Sequence, residues 1–284
     1  MVHFENLCTC CPEGKKQKLY IADPICNNLL KSKDAVLKKG WDYVAIVSGI
    51  PGVGKSTFAQ ALAKFLDPNF ESKQICFTAK EFKDKTSVGE KGQAFILDES
   101  FADMNANLSK NPEFIALINH LQLIRQRNLF LILVLPDFFS LAKNIAIFRS
   151  SHLFVPYSVD YKRGDVAVFD REAKRELYIK GKIFINYQAS PPNFRTDYQG
   201  HWYIDMQDYL ERKEAHLQKL SEFKEKYTKG GHQRDIITFI LHRETGLTLK
   251  QIGEMVGVSE DLVRQWHIRG KEQHAKLFGD KAQL

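Results

Sequence analysis

The sequence predicts an α/β fold in which a mostly parallel sheet is covered by helices on both faces, a β-hairpin extends the sheet, and a small all-α unit follows. Three observations predict it. Runs that are apolar throughout (DYVAIVS from Asp42, Ala94–Leu97 and Leu129–Leu135) alternate with helical stretches, as strands buried on both faces do. The first run ends in glycines and leads directly into a helical stretch. Far downstream, Asp235–Lys271 carries a purely helical pattern of its own.

Taken in order, residues 1–40 are polar and irregular and read as an amino-terminal extension. The strand from Asp42 opens the main domain, residues 41–204, and Lys55–Phe65 is the helix after it. Gln74–Phe77 is a short strand, and Thr78-Ala79-Lys80-Glu81 has the spacing of a capping box that starts the next helix. After the strand Ala94–Leu97, Asn111 is the expected cap of a helix with Pro112 at its first position, where the fixed φ of proline suits a helix start. Leu129–Leu135 is the next strand. Beyond Ser150, Val166–Phe169 and Leu177–Ile185 alternate as strands around the charged segment Asp170–Glu176, which predicts an antiparallel hairpin at the sheet edge. Asp205–Lys226 is charge-rich with apolar positions at roughly helical spacing, and Gly230-Gly231 ends it. Residues 205–231 are therefore a connecting helix, and 232–284 a separate helical domain.

The 284 residues suffice for one to two domains, each with its own core. A hydrophobic share of 44% beside 26% charged residues excludes a disordered chain, a collagen-like fibre or a coiled-coil rod. The net charge of +7 suits a polyanionic partner, but the surplus is spread along the chain and only inclines toward nucleic acid. Five cysteines do not make a disulfide scaffold at this length, and Met1–Glu5 lacks the basic start of a signal peptide, so the cytoplasm is the expected location. The longest apolar run, Leu129–Leu135, is far short of the ~20 residues that span a bilayer, and no membrane anchor is expected.

Gly49-Ile50-Pro51-Gly52-Val53-Gly54-Lys55-Ser56 matches the phosphate-binding pattern G-x-x-x-x-G-K-S/T, in the strand-then-helix context that pattern requires. Its glycines let backbone N–H groups converge on phosphates, and Lys55 offers an ammonium to the β and γ oxygens. The Ser56 hydroxyl is placed to ligate magnesium, and Thr57 supports the loop. Gly49, Pro51, Gly52, Val53, Gly54, Lys55, Ser56 and Thr57 are thus the candidate nucleotide-binding residues. Phe95-Ile96-Leu97-Asp98-Glu99 is an apolar strand ending in two acids. Asp98 suits holding a hydrated metal with Ser56, and Glu99 suits polarising an attacking water, which favours hydrolysis over transfer. Phosphoryl transfer also needs a cation against developing charge, and Arg125, Arg127 and Arg149 are the candidates. Arg149 is the first choice, as a finger acting on a neighbouring subunit. Asp137 stands where a polar sensor is common.

In Leu247–Arg269, the residues Leu249, Ile252, Met255 and Val256 make one apolar helix face, and Gly257 permits a tight turn. Ser259 then caps a second helix whose Leu262, Val263 and Trp266 face inward. This is a helix-turn-helix pattern. Its second helix would offer Ser259, Arg264, Gln265, His267 and Arg269 to phosphates or base edges of DNA, whereas Glu260 and Asp261 would oppose a phosphate backbone. Cys8, Cys10 and Cys11 with Cys26 lack the paired C-x₂-C spacing of structural zinc.

GIPGVGKST, the FILDES strand, and the stretch from Arg125 through LFLILVLPDFF to IFRSS resemble a P-loop ATPase of the catalytic-glutamate (ASCE) group. Within it the chain is similar to the FtsK/HerA-like motors and the zonula occludens toxin (Zot)-like ATPases of phages and mobile elements, over roughly residues 41–200. The resemblance implies a RecA-like core, magnesium-dependent ATP hydrolysis, assembly as a homo-oligomer with a ring among the options, and work on DNA in translocation, packaging or replication. The motif falls on Gly49, Gly54, Lys55, Ser56, Asp98 and Glu99, with ATP and Mg2+ as cofactors. An AAA+-like helicase loader, a P-loop kinase and an ATP-gated DNA-binding regulator are the alternatives.

Overall fold

The computed structural model describes residues 4–5, 18–19, 23–98, 112–198 and 203–278. The chain divides into two compact units, Met1–Arg212 and Lys213–Leu284. The first begins with two short antiparallel strands, β1 (Phe4–Glu5) and β2 (Lys18–Leu19). Next comes helix α1 (Asp23–Lys39), in a region the sequence pattern left irregular. Its lysines 31, 33, 38 and 39 mask a buried stripe of Ile25, Cys26, Leu29 and Val36.

The main sheet then builds up as β3 (Tyr43–Ser48), α2 (Lys55–Leu66), β4 (Ile75–Cys76), α3 (Ala79–Ser87) and β5 (Ala94–Asp98). It continues with α4 (Pro112–Leu123), β6 (Phe130–Leu135), a π-helical turn (Asn144–Arg149) and β7 (His152–Val159), then β8 (Lys162–Phe169), α5 (Arg171–Gly181) and β9 (Phe194–Asp197). Asn111, the expected cap of α4, lies outside the described residues. At α3 the Thr78 hydroxyl accepts from the Glu81 N–H at 3.0 Å, while the Glu81 carboxylate accepts from the Phe77 N–H at 3.0 Å.

The seven strands lie in the order β4-β5-β6-β3-β7-β8-β9, parallel from β4 to β7 and antiparallel at β7-β8 and β8-β9. Tyr43, Ala45 and Val47 of β3 pack into the cluster with α1 and α2, while Val44 and Ile46 pack into the cluster with α4 and α5. This alternation explains why the central strands are apolar throughout.

The hairpin differs from its expected form. β8 pairs with β7, and Leu177–Ile185 is not a strand but the end of α5 and the turn after it. Asp170 caps α5 by accepting from the Glu172 and Ala173 N–H groups, both at 3.0 Å, and Leu177, Tyr178 and Gly181 form its buried face. The charged run between the expected strands is the first turn of a helix.

Helix α6 (Met206–Thr245) does not end at Gly230-Gly231 but continues through them. The second unit continues with α7 (Leu249–Val256) and α8 (Glu260–Phe278). No helix among the described residues is long and apolar enough to cross a membrane.

Candidate nucleotide-binding site

The parallel register decides where the motifs meet. β3 and β5 are both neighbours of β6, with Val47 and Asp98 both opposite Val134, so the loop after β3 and the end of β5 share one sheet edge. Strands ~4.8 Å apart put these two ends about 10 Å from each other, a gap the first turn of α2 bridges. The Ser56 hydroxyl donates to Asp98 Oδ1 at 3.1 Å, and Asp98 is 1% exposed at the end of a wholly buried strand.

The loop from Gly49 to Gly54 holds left-handed φ values at Gly49 (151°), Gly52 (84°) and Gly54 (95°). A Cβ on Gly54 would stand 2.7 Å from the Tyr198 hydroxyl, and one on Gly49 3.0 Å from the Pro156 carbonyl oxygen. Both positions therefore require glycine on conformation and on space. Gly54 also starts α2 without a side-chain cap, which leaves the first N–H groups of the helix directed at the loop, where an anion is stabilised. Lys55 is buried and curls back so that Nζ donates to the carbonyls of Gly49 (2.9 Å) and Ile50 (3.0 Å). Val53 is buried, Pro51 and Gly52 are exposed, and Thr57 is half-buried. The Ser56 hydroxyl and the Asp98 carboxylate are hard oxygen donors within hydrogen-bond reach of each other, a donor pair that fits a divalent cation such as Mg2+. Glu99 lies outside the described residues.

Three tyrosines surround this edge, and none was singled out by sequence as a site residue. The Tyr187 hydroxyl bonds Ser48 Oγ at 2.8 Å and accepts from the Phe138 N–H at 2.9 Å, tying the strand before the loop to the segment after β6. The Tyr198 hydroxyl donates to the Gly54 carbonyl at 3.3 Å, and its ring stands edge-on to Phe58. Burial pushes both phenols up to about 12, so they stay protonated donors at neutral pH. Tyr209, in α6, donates to Asp98 Oδ2 at 2.5 Å. Only a fold that returns to this edge after β8 reveals them. Asp137, by contrast, uses Oδ1 to accept from the Phe139 N–H at 3.0 Å and so shapes its own turn.

Topology places the three arginines away from the loop of their own chain. Arg149 immediately precedes β7, which runs parallel to β3, so it stands at the edge where strands begin, across the sheet from the loop. There it forms an ion pair with Asp42 and its Nε donates to the Leu121 carbonyl at 2.7 Å. Arg125 and Arg127 precede β6 at that same edge, with Arg125 over the Trp41 ring at 5.9 Å.

In the second unit, α7 and α8 are joined by a tight turn in which Gly257 adopts φ 71° and the Val258 N–H donates to the Gly253 carbonyl at 2.9 Å. Ser259, Arg264 and Gln265 are exposed, with Arg264 bonded to Glu260 at 2.8 Å. Two other expected DNA contacts turn toward α6 instead. His267 packs against the rings of Phe239 (5.4 Å) and His242 (4.8 Å), and burial lowers its pKa. Arg269 Nε donates to the buried Asp235 at 2.7 Å. The helical period explains this, because Val263, His267 and Gly270 lie on one face of α8. Met255 and Leu262, expected to face inward, are exposed. Cys8, Cys10 and Cys11 lie outside the described residues, and Cys26 is buried in the packed face of α1.

The family model described as Novel STAND NTPase 3 (nSTAND3) matches residues 27–145, from within α1 to the π-helical turn, and so takes in the loop, Ser56 and Asp98. The match and the mostly parallel sheet fit a P-loop NTPase core. A core of this kind binds a nucleotide, and the mixed sheet with one strand between the loop strand and the Asp98 strand fits it. No curated protein matches the chain.

Proposed function

We propose that the chain is a magnesium-dependent ATPase that binds DNA and couples hydrolysis to translocation, packaging or replication of a phage or mobile-element genome, as a cytoplasmic homo-oligomer. The Ser56–Asp98 hydrogen bond beneath a glycine loop, with β6 between the two strands, carries the reading. That strand order favours the catalytic-glutamate group, to which the FtsK/HerA-like and Zot-like motors belong. A bound Mg2+ supplies charge neutralisation at the β- and γ-phosphates. For their part, the N–H groups at the start of α2 cradle the phosphates, and Lys55 exchanges its loop carbonyls for phosphate oxygens. Glu99, next in sequence to Asp98, is assigned the attacking water. For DNA, the exposed Ser259, Arg264 and Gln265 at the start of α8 are the proposed contacts.

A second reading, an ATP-gated DNA binder with little turnover, is favoured by the bond from Tyr209 in α6 to Asp98. Hydrolysis measured with Mg2+, with and without double- and single-stranded DNA, separates the two. Stimulation by DNA that Lys55→Ala and Glu99→Gln both abolish supports the motor. Nucleotide binding that changes DNA affinity without turnover, and survives Glu99→Gln, replaces it with the gate.

A further inference from the structure

Two hydroxyls hold the two oxygens of one buried carboxylate: Ser56 on Asp98 Oδ1 at 3.1 Å and Tyr209 on Oδ2 at 2.5 Å. Ser56 belongs to the phosphate-binding motif, whereas Tyr209 belongs to no nucleotide motif and is 2% exposed. Its ring packs near Phe77, 5.7 Å between centroids, a place a phenylalanine ring would fill equally well. The hydroxyl is therefore there for Asp98.

The backbone around Tyr209 is fastened on both sides. Asp205 accepts from the Gln207 N–H at 2.9 Å at the start of α6, and Tyr203 and Ile204 are buried in the core. Arg212 donates to the carbonyls of Ser72 (2.5 Å) and Ile75 (2.8 Å) and to Glu81 (3.0 Å), with its guanidinium over Phe77 at 5.4 Å. Residues 203–212 thus form a strap docked at the β4 edge, next to the strand that carries Asp98.

We propose that Tyr209 is a positioning residue for the cation site. It holds the Asp98 carboxylate in the orientation that meets Ser56, and it thereby links cation binding to the docking of residues 203–212. The inference rests on the reading of Ser56 and Asp98 as cation-binding residues. A carboxylate oxygen that accepts from Tyr209 keeps a second lone pair, and a serine hydroxyl that donates to Asp98 keeps its own lone pairs, so both bonds are compatible with a bound cation. Without the phenol, the carboxylate must be ordered at the moment of binding. Outer hydrogen-bond partners of this kind typically tune metal affinity by about ten- to a hundredfold. Linkage is reciprocal, so cation with nucleotide must tighten the strap as the strap tightens the site.

The test compares the full wild-type chain with Tyr209→Phe. A fluorescent ATP analogue is titrated first in chelator and then across Mg2+, and amide hydrogen exchange of residues 203–212 is followed with and without saturating Mg2+ and nucleotide. In Tyr209→Phe the metal-free affinity should match the wild type, while half-saturation by Mg2+ should need about tenfold more metal. Mg2+ with nucleotide should slow exchange in 203–212 in the wild type, and this slowing should be lost in the variant. Should Tyr209→Phe lose metal-free binding through misfolding, Arg212→Gln takes its place, loosening the strap without touching Asp98, and is expected to raise the Mg2+ midpoint. Equal Mg2+ midpoints, or wild-type exchange at 203–212 that ignores saturating Mg2+ and nucleotide, overturn the inference alone. A wild type whose nucleotide affinity ignores Mg2+ overturns the cation-site reading and the inference together.

Discussion

Replacing Arg149 with methionine should cost stability and leave catalysis nearly intact. The ion pair it makes with Asp42 is largely buried, with side-chain exposures of 16% and 6%, and its Nε also satisfies the Leu121 carbonyl. Removing one partner of a buried pair typically costs about 3–5 kcal/mol, because the other charge is left uncompensated. The residual exposure of Arg149 lets some water reach the site, so about 2–4 kcal/mol is expected here. For a unit of this size each kcal/mol lowers the melting temperature by roughly 2–4 °C, which puts the variant about 4–16 °C below wild type. Asp42→Asn should cost a similar amount. The double variant should fall well short of the sum, with an interaction of at least about 1 kcal/mol, since both substitutions remove the same bond. Urea unfolding and thermal melts give these values, and ATP turnover is measured well below the transition. A phosphoryl-transfer arginine would cost about 10³–10⁵ in kcat. A methionine variant that melts with the wild type yet loses more than about a hundredfold in turnover would refute the pin and restore the finger.

Three further outcomes follow from single residues. Burial, reinforced by Arg171, pushes the Lys174 ammonium down from 10.5 to about 7, although it donates to the Ser150 and Ile147 carbonyls. Between about pH 7 and 10.5 the unfolded chain binds a proton the folded chain lacks, so this group should make stability rise with pH, and a Lys174→Met protein with an unchanged slope in urea melts across that window would disprove it. Gly270→Ala would drive a Cβ to 1.9 Å from the Asp235 carbonyl oxygen, so it should cost about 3 kcal/mol and strip hydrogen-exchange protection from α8; retained protection would contradict the packing. Gly54→Ala should weaken nucleotide binding less in a Tyr198→Phe background, because without the hydroxyl the nearest ring carbon is 4.0 Å away and only the strain of φ 95° remains; equal losses in both backgrounds would count against that clash.

The phosphate loop, Asp98 and the strands β3, β5 and β6 were legible because each leaves a local signature. Glycines mark the turn, and an unbroken apolar run marks a strand with neighbours on both faces. α1 was lost because four lysines dilute the periodic stripe, Lys31, Lys38 and Lys39 on the exposed face and Lys33 half-buried with Nζ bonded to the Phe65 carbonyl. The hairpin was misplaced because β7 contains Pro156 and mixes polar with apolar residues, while the short alternation after Leu177 imitates a strand. Its corrective signals were present: Asp170 in cap position and the Glu176–Lys180 pair at helical spacing, 3.0 Å apart. The place of Arg149 was not legible for a topological reason. Any residue that immediately precedes a parallel strand lies at the edge opposite the loop, and that follows only once β7 is recognised as a strand beside β3.

The tyrosines mark a deeper limit. Tyr187, Tyr198 and Tyr209 lie far from the loop in sequence, yet their hydroxyls meet Ser48, the Gly54 carbonyl and Asp98, which are the strand before the loop, the start of α2 and the acid at the end of β5. Each of those three groups is polar and sits at the end of a buried strand or helix, where leaving it without a partner costs about 1–3 kcal/mol. The apolar core cannot supply such partners, so something must reach back over this edge, and the segment after β8 does so. The return path is set by antiparallel pairing of β8 with β7 and β9 and by the cap at Asp205, not by any spacing visible in the motif itself. The nucleotide edge is therefore assembled from two parts of the chain, an early part that carries a recognisable pattern and a late part that carries only tyrosine hydroxyls. A fragment that kept the motif but ended before Tyr187 would retain every recognised nucleotide-binding residue and still lose three of the bonds that hold them in place.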